Sequence, residues 1–158
     1  MDARVTVSAS HLANSFLRRA FADDVPTTPM TLQRLLYVSA SEYGKRTDDE
    51  LLGEAFLAWL YGPVQRGVYD QFRGYRSQPV RAYAKDARGT AFAVHERSHP
   101  VLRTVLTDVW SAATMLPDGM LACALRAPDS AWSTTPQGTR IPAAALHGDV
   151  SYRQLLNL

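Results

Sequence analysis

The strongest constraint in this sequence is an apolar stripe in its second half. Leu102, Val105, Leu106, Val109, Trp110 and Ala113 recur at helical spacing and mark a helix with one wide face that must leave water. Such a helix is held by packing, not by its own propensity, so other segments must supply a matching apolar surface. In a chain of 158 residues with 46% hydrophobic and 20% charged residues, one shared core is expected, and residues 1–158 are read as a single domain.

The first half offers two helices to cover the stripe. Leu12, Phe16, Leu17, Ala20 and Phe21 share a face behind a capping Ser8, with Val7 placed to pack on Leu12. The Asp23-Asp24-Val25-Pro26 stretch ends that helix, and Thr28-Pro29 opens the next with a capping hydroxyl and a proline at the first helical position. Leu32, Leu35, Leu36, Ser39 and Tyr43 continue it as far as Gly44, read as the stop.

Between Gly53 and Gly62, residues 55–61 read as a short, largely buried strand. Gly62-Pro63 punctuates, and Val64, Val68, Phe72 and Tyr75 mark a third helix ended by Gly74 or by Gln78-Pro79. Residues 80–84 and 90–94, joined by Asp86-Ala87-Arg88-Gly89, suggest a hairpin. Ser98 is the expected cap of the striped helix. Pro117 and Asp118 separate it from a shorter helix through Met120, Leu121, Ala124 and Leu125; residues 133–140 read as a loop, and a last helix from Asp149 carries Val150, Tyr152, Leu155 and Leu156. The expected fold is mostly α (α+β), a single-domain helical bundle of five to six helices with a small antiparallel β element.

Seventeen basic residues against fifteen acidic ones give a formal charge of +2, too slight to select nucleic acid or an anionic membrane as partner. The lone Cys123 excludes an internal disulfide and a cysteine-rich metal site, and it reads as a small buried side chain. With neither a signal-peptide pattern nor an apolar run of spanning length, the expected location is the cytoplasm.

His95-Glu96-Arg97-Ser98-His99 matches H-E-x-x-H, in which two histidines one helical turn apart bind zinc and the glutamate activates a water. That chemistry needs an unbroken helix, and Pro100 biases His99 away from helical angles. Glu96 is also the last glutamate in the chain, which leaves only Asp108, Asp118 or Asp129 as a formal third ligand. The expected reading is a turn before a helix, with no metal, cofactor or catalytic residue; a zinc hydrolase stands as an alternative. The first two helices also invite a helix-turn-helix reading, with Gln33 and Arg34 reaching bases. The acidic Asp23-Asp24 connection and the apolar content of the second helix oppose it, and a DNA-binding transcription regulator of phage or host is the other alternative.

Two blocks, residues 28–37 (TPMTLQRLLY) and residues 56–69 (FLAWLYGPVQRGVY), resemble the signatures of the Panacea domain family, which includes phage-associated proteins and antitoxins. Ala13, Asn14 and Phe16 are similar to that family's opening helix. The resemblance runs from about Ser8 to Gln78 and is weaker beyond, where Trp110 and Trp132 fall near family landmarks; Thr31 stands where the family usually has a basic residue, and Ala131-Trp132 lacks an accompanying histidine and proline. It implies an antitoxin that neutralises a cognate toxin by direct binding and, in some members, delivers it to a protease. The family-motif or partner-binding candidates are Gln33, Tyr37, Trp59, Tyr61, Gly62, Pro63, Val64, Tyr69 and Trp132. Aromatic anchors on a fixed backbone suit an interface, and the same side chains also suit a core. Gln33, polar on an apolar face, is expected to bond the Tyr61-Gly62 backbone or to face a partner.

Overall fold

A computed structural model describes residues 6–117 and 119–158; Asp118, expected at the start of a helix, lies outside the described residues. Its axis is α2 (Pro29–Thr47), which touches α1 (Ala9–Asp23), the hairpin of β1 (Leu57–Trp59) and β2 (Gly62–Val64), and α3 (Arg66–Phe72). From the second half come α4 (Pro100–Ala113), α5 (Met120–Leu125) and α7 (Ala143–Gly148), while α6 (Ala131–Thr134) packs on α7 and α8 (Arg153–Leu156) on α4. The fold is mostly α with a small antiparallel β element, as expected. The described residues hold eight helices, the extra ones being the four-residue α6 and the six-residue α7, too short to show a full apolar period.

The stripe on α4 finds its cover on α2 and α1. Leu102, Val105, Leu106 and Val109 are completely buried and Trp110 nearly so, with Ala113 at the margin. Each such burial is worth about 1.5–3 kcal/mol. The Trp110 indole nitrogen donates to Asp23 at 2.8 Å, which ties the end of α1 to α4. Thr28 caps α2 by accepting from the Thr31 amide at 3.3 Å, with Pro29 in the first turn.

Gly44 does not stop α2. The helix runs three residues further, to the left-handed Asp48, whose amide bonds the Gly44 carbonyl. Glycine is needed at position 44 for space: a Cβ there would lie 2.2 Å from Cδ2 of His147.

The expected hairpin of residues 80–84 and 90–94 is not a ladder, although its turn exists: the Asp86 amide donates to Thr90 at 2.9 Å and Gly89 takes φ +78°. Asn14, buried on α1, stands between the arms. Its amide group donates to the carbonyls of Ala84 and Phe92 and its oxygen accepts from the Ala84 amide, at 2.8–2.9 Å, while Ser15 accepts from the Val94 amide at 2.9 Å. The helix thus takes hydrogen bonds that strand pairing would have used.

The β element instead pairs β1 with β2 in the register Leu57 to Val64, Ala58 to Pro63 and Trp59 to Gly62. Gly62-Pro63-Val64 is therefore a strand and not the approach to a helix. Residues 138–141 add bonds along the other side of β1, where the Ala58 amide donates to Thr139 and the Ile141 amide to Phe56, both at 2.9 Å. Three smaller expectations are also corrected. Ser98 lies in a 3₁₀ turn with Pro100 opening α4, the last helix expected from Asp149 starts only at Arg153 as α8 and leaves Val150 exposed ahead of it, and Cys123 is exposed.

Candidate functional site

The two signature blocks meet through one side chain. Gln33 is buried on α2 and bonds both backbone groups of Gln65, its Nε2 donating to the carbonyl at 3.0 Å and its Oε1 accepting from the amide at 2.8 Å. This places its partner a few residues beyond the expected Tyr61-Gly62 backbone. Gln65 in turn caps α3, accepting from the Val68 amide at 2.7 Å, and its side-chain amide donates to Glu54. One glutamine therefore fixes the exit of β2 and the start of α3 relative to α2.

The tip of the β hairpin projects from this mount. Gly62, at φ +132°, takes a conformation that suits glycine, and the strands are joined through Leu60 and Tyr61, which are 58% and 69% exposed. Behind the tip, Trp59 meets the ring of Tyr69 on α3 edge to face, with centroids 4.9 Å apart. The Trp132 indole nitrogen donates to the Trp59 carbonyl at 2.6 Å, pinning the same strand from the C-terminal half. Met30, Trp59, Leu60, Tyr61, Val64 and Tyr69 together line a cavity of about 320 Å³. It is a mainly apolar recess under a protruding phenol and leucine.

Tyr37 belongs elsewhere. Completely buried, it packs edge to face on Phe56, centroids 5.3 Å apart, and donates its hydroxyl to Asp149 at 2.5 Å. Burial, then the Asp149 charge and hydrogen bond, push its ionisation far above the ordinary range, so it remains a neutral donor. Asp149 also accepts from the amides of Ala131 and Ser151. Beside it, the completely buried Glu42 accepts from Tyr152 at 2.7 Å and from Arg153 at 3.0 Å. Lys45 donates to Ser41, Tyr152 and the Asp149 carbonyl; burial, outweighing the pull of Glu42 and Asp149, lowers its pKa. This polar core locks α7 and α8 onto α2. None of Glu42, Asp149 and Tyr152 is a signature residue.

The H-E-x-x-H stretch is a 3₁₀ turn over Glu96–Ser98, so its histidines do not stand one α-helical turn apart. Glu96 instead bonds Arg18 and Arg19, each at 2.5 Å, and its carboxylate is committed to arginine rather than to a water. The helix-turn-helix reading fares no better, since Gln33 is buried and spent on Gln65.

With this geometry in hand, comparison with known proteins adds the decisive observation: residues 32–107 match the family model described as Antitoxin SocA-like, Panacea domain. The resemblance to the Panacea family is borne out. The Panacea match begins in α2, contains the hairpin and α3, and continues through the Asn14-bound segment into α4, further than the two signature blocks reach. A curated relative, Antitoxin SocA of Caulobacter vibrioides (strain NA1000 / CB15N), is 36% identical over 83 residues, covering 51% of this chain and 44% of that protein. The match thus spans less than half the relative's length. No solved structure matches the chain. No helix among the described residues is long and apolar enough to cross a membrane.

Proposed function

We propose that this chain is a cytoplasmic antitoxin, a non-catalytic protein acting as one domain that neutralises a cognate toxin by gripping it at the β-hairpin tip. The similarity to Antitoxin SocA and to the Panacea family supports the role. The observation that carries the surface is the exposure of Leu60 and Tyr61 on a hairpin whose neighbours are all fixed. Exposed apolar side chains over a recess on a preorganised backbone lose little entropy when a partner covers them. Trp59, Val64 and Tyr69 shape the recess, Gly62 and Pro63 carry the return strand behind the Leu60-Tyr61 turn, and Gln33, Tyr37 and Trp132 hold the scaffold.

Co-expression with the product of the adjacent gene tests the role. The expected result is rescue of growth and co-purification of the two chains. A neighbouring product that is neither toxic nor bound overturns it. Delivery of the toxin to a protease is the further step that the resemblance implies, and toxin half-life with and without this chain reads it out.

A further inference from the structure

The Glu96 turn that fails as a zinc site lies in an open groove of about 810 Å³ between α1, the Asn14-bound segment and α4. Its lining holds four arginines, Arg18, Arg19, Arg97 and Arg103, against Glu96 as its one carboxylate. In a chain with seventeen basic and fifteen acidic residues that imbalance is local. Glu96 is already shared between Arg18 and Arg19, whereas Arg97 and Arg103 are exposed with no ion-pair partner among the described residues. Phe92, 52% exposed, adds an apolar wall, with the His11 ring at 5.8 Å.

We propose that this groove docks a short acidic segment of a partner polypeptide, its carboxylates taken by Arg97 and Arg103 and a neighbouring apolar side chain resting on Phe92. Guanidinium groups form two-pronged hydrogen bonds with carboxylates, and Glu96 holds Arg18 and Arg19 in place at the groove wall. A nucleic-acid backbone fits less well: tight duplex binding draws on about 6–10 phosphate contacts, and here the arginines are gathered in one recess beside a fixed carboxylate and a phenyl ring. The groove is built from residues other than those of the hairpin recess, so the proposal does not depend on what the hairpin holds.

Fluorescence anisotropy of the full chain tests it with two probes, a labelled peptide of glutamates around one phenylalanine and a labelled DNA duplex. The peptide is expected to bind in a salt-dependent manner, and Arg97→Glu with Arg103→Glu should weaken it about tenfold or more. Both side chains are exposed, so the variant should keep the wild-type melting temperature; Arg97→Glu alone provides a second reading. Absence of peptide binding, binding indifferent to these substitutions, or tighter binding of the duplex through the same arginines would each overturn the proposal.

Discussion

Gly44 and His147 are in contact across α2 and α7 so closely that only a hydrogen fits between the α2 backbone and the imidazole, a Cβ at position 44 falling 2.2 Å from Cδ2. Two opposing effects act on Gly44→Ala. Alanine stabilises a helix interior by about 0.8–1 kcal/mol over glycine, whereas forcing a ring out of a packed site costs about 1–3 kcal/mol. The clash should win, giving a net loss of stability in urea denaturation. In a His147→Ala background the space is free and the same substitution should stabilise. A sign that does not invert between the two backgrounds would show that α7 yields without cost.

Tyr37→Phe isolates one of the bonds that join α2 to the C-terminal segment. The substitution keeps the ring against Phe56 and removes the donor to Asp149. Asp149 retains the Ala131 and Ser151 amides, so the carboxylate is under-satisfied but not abandoned. A loss of about 1.5–3 kcal/mol is expected, the range for hydrogen bonds to charged groups. Unchanged stability would mean that water takes the place of the hydroxyl.

Legibility in the sequence followed the range of the interaction. The α4 stripe and the Thr28-Pro29 helix start are written in local spacing, and both are found where spacing puts them. Gly44 reads locally as a stop because its requirement comes from His147, far away in the sequence. Residues 80–94 have the alternation and turn of a hairpin, and a single distant Asn14 redirects their hydrogen bonds. At the candidate site, Trp59, Tyr61 and Tyr69 were visible as aromatics around a Gly-Pro turn, but which of them would be exposed depends on the hairpin pairing. The groove arginines gave no signal at all, because Arg18 and Arg19 are brought to Arg97 and Arg103 only by the packing of α1 and the 3₁₀ turn.

Glu96 makes acid stability depend on the Arg18 and Arg19 pairs. Burial raises its pKa, and the hydrogen bonds and charges of Arg19 and Arg18 outweigh that, so the folded value lies below the ordinary 4.5. A folded pKa below the unfolded one contributes stability that is fully present above about pH 4.5 and is lost as pH falls through the folded value. Glu96→Gln should therefore lower the unfolding free energy at pH 7 by on the order of 1 kcal/mol, given the exposure of Arg18. The gap between variant and wild type should close as the medium is acidified below the ordinary carboxyl range. A gap that stays constant down to acid pH would show that the arginines respond to shape rather than to charge at Glu96.

The hairpin permits a separation of mount from contact. Gln33→Leu leaves the buried Gln65 amide without its acceptor, while the Gln65 carbonyl keeps the Tyr69 amide at 3.0 Å, and an unsatisfied buried group costs about 1–3 kcal/mol; the variant should lose stability and, with the hairpin unfastened, partner binding. Tyr61→Ala removes a side chain that is 69% exposed, so its melting temperature should stay within about 2 °C of wild type, in line with the small effect of surface substitutions. Its affinity for the proposed partner should nonetheless fall by about tenfold or more if the phenol is an anchor of the kind that dominates interfaces. Measured together by thermal denaturation and calorimetric titration, the two variants divide the roles. Loss of binding by Gln33→Leu with none by Tyr61→Ala would move the contact from the tip into the recess lined by Met30, Trp59 and Tyr69. Full binding by both would remove the hairpin from the interface.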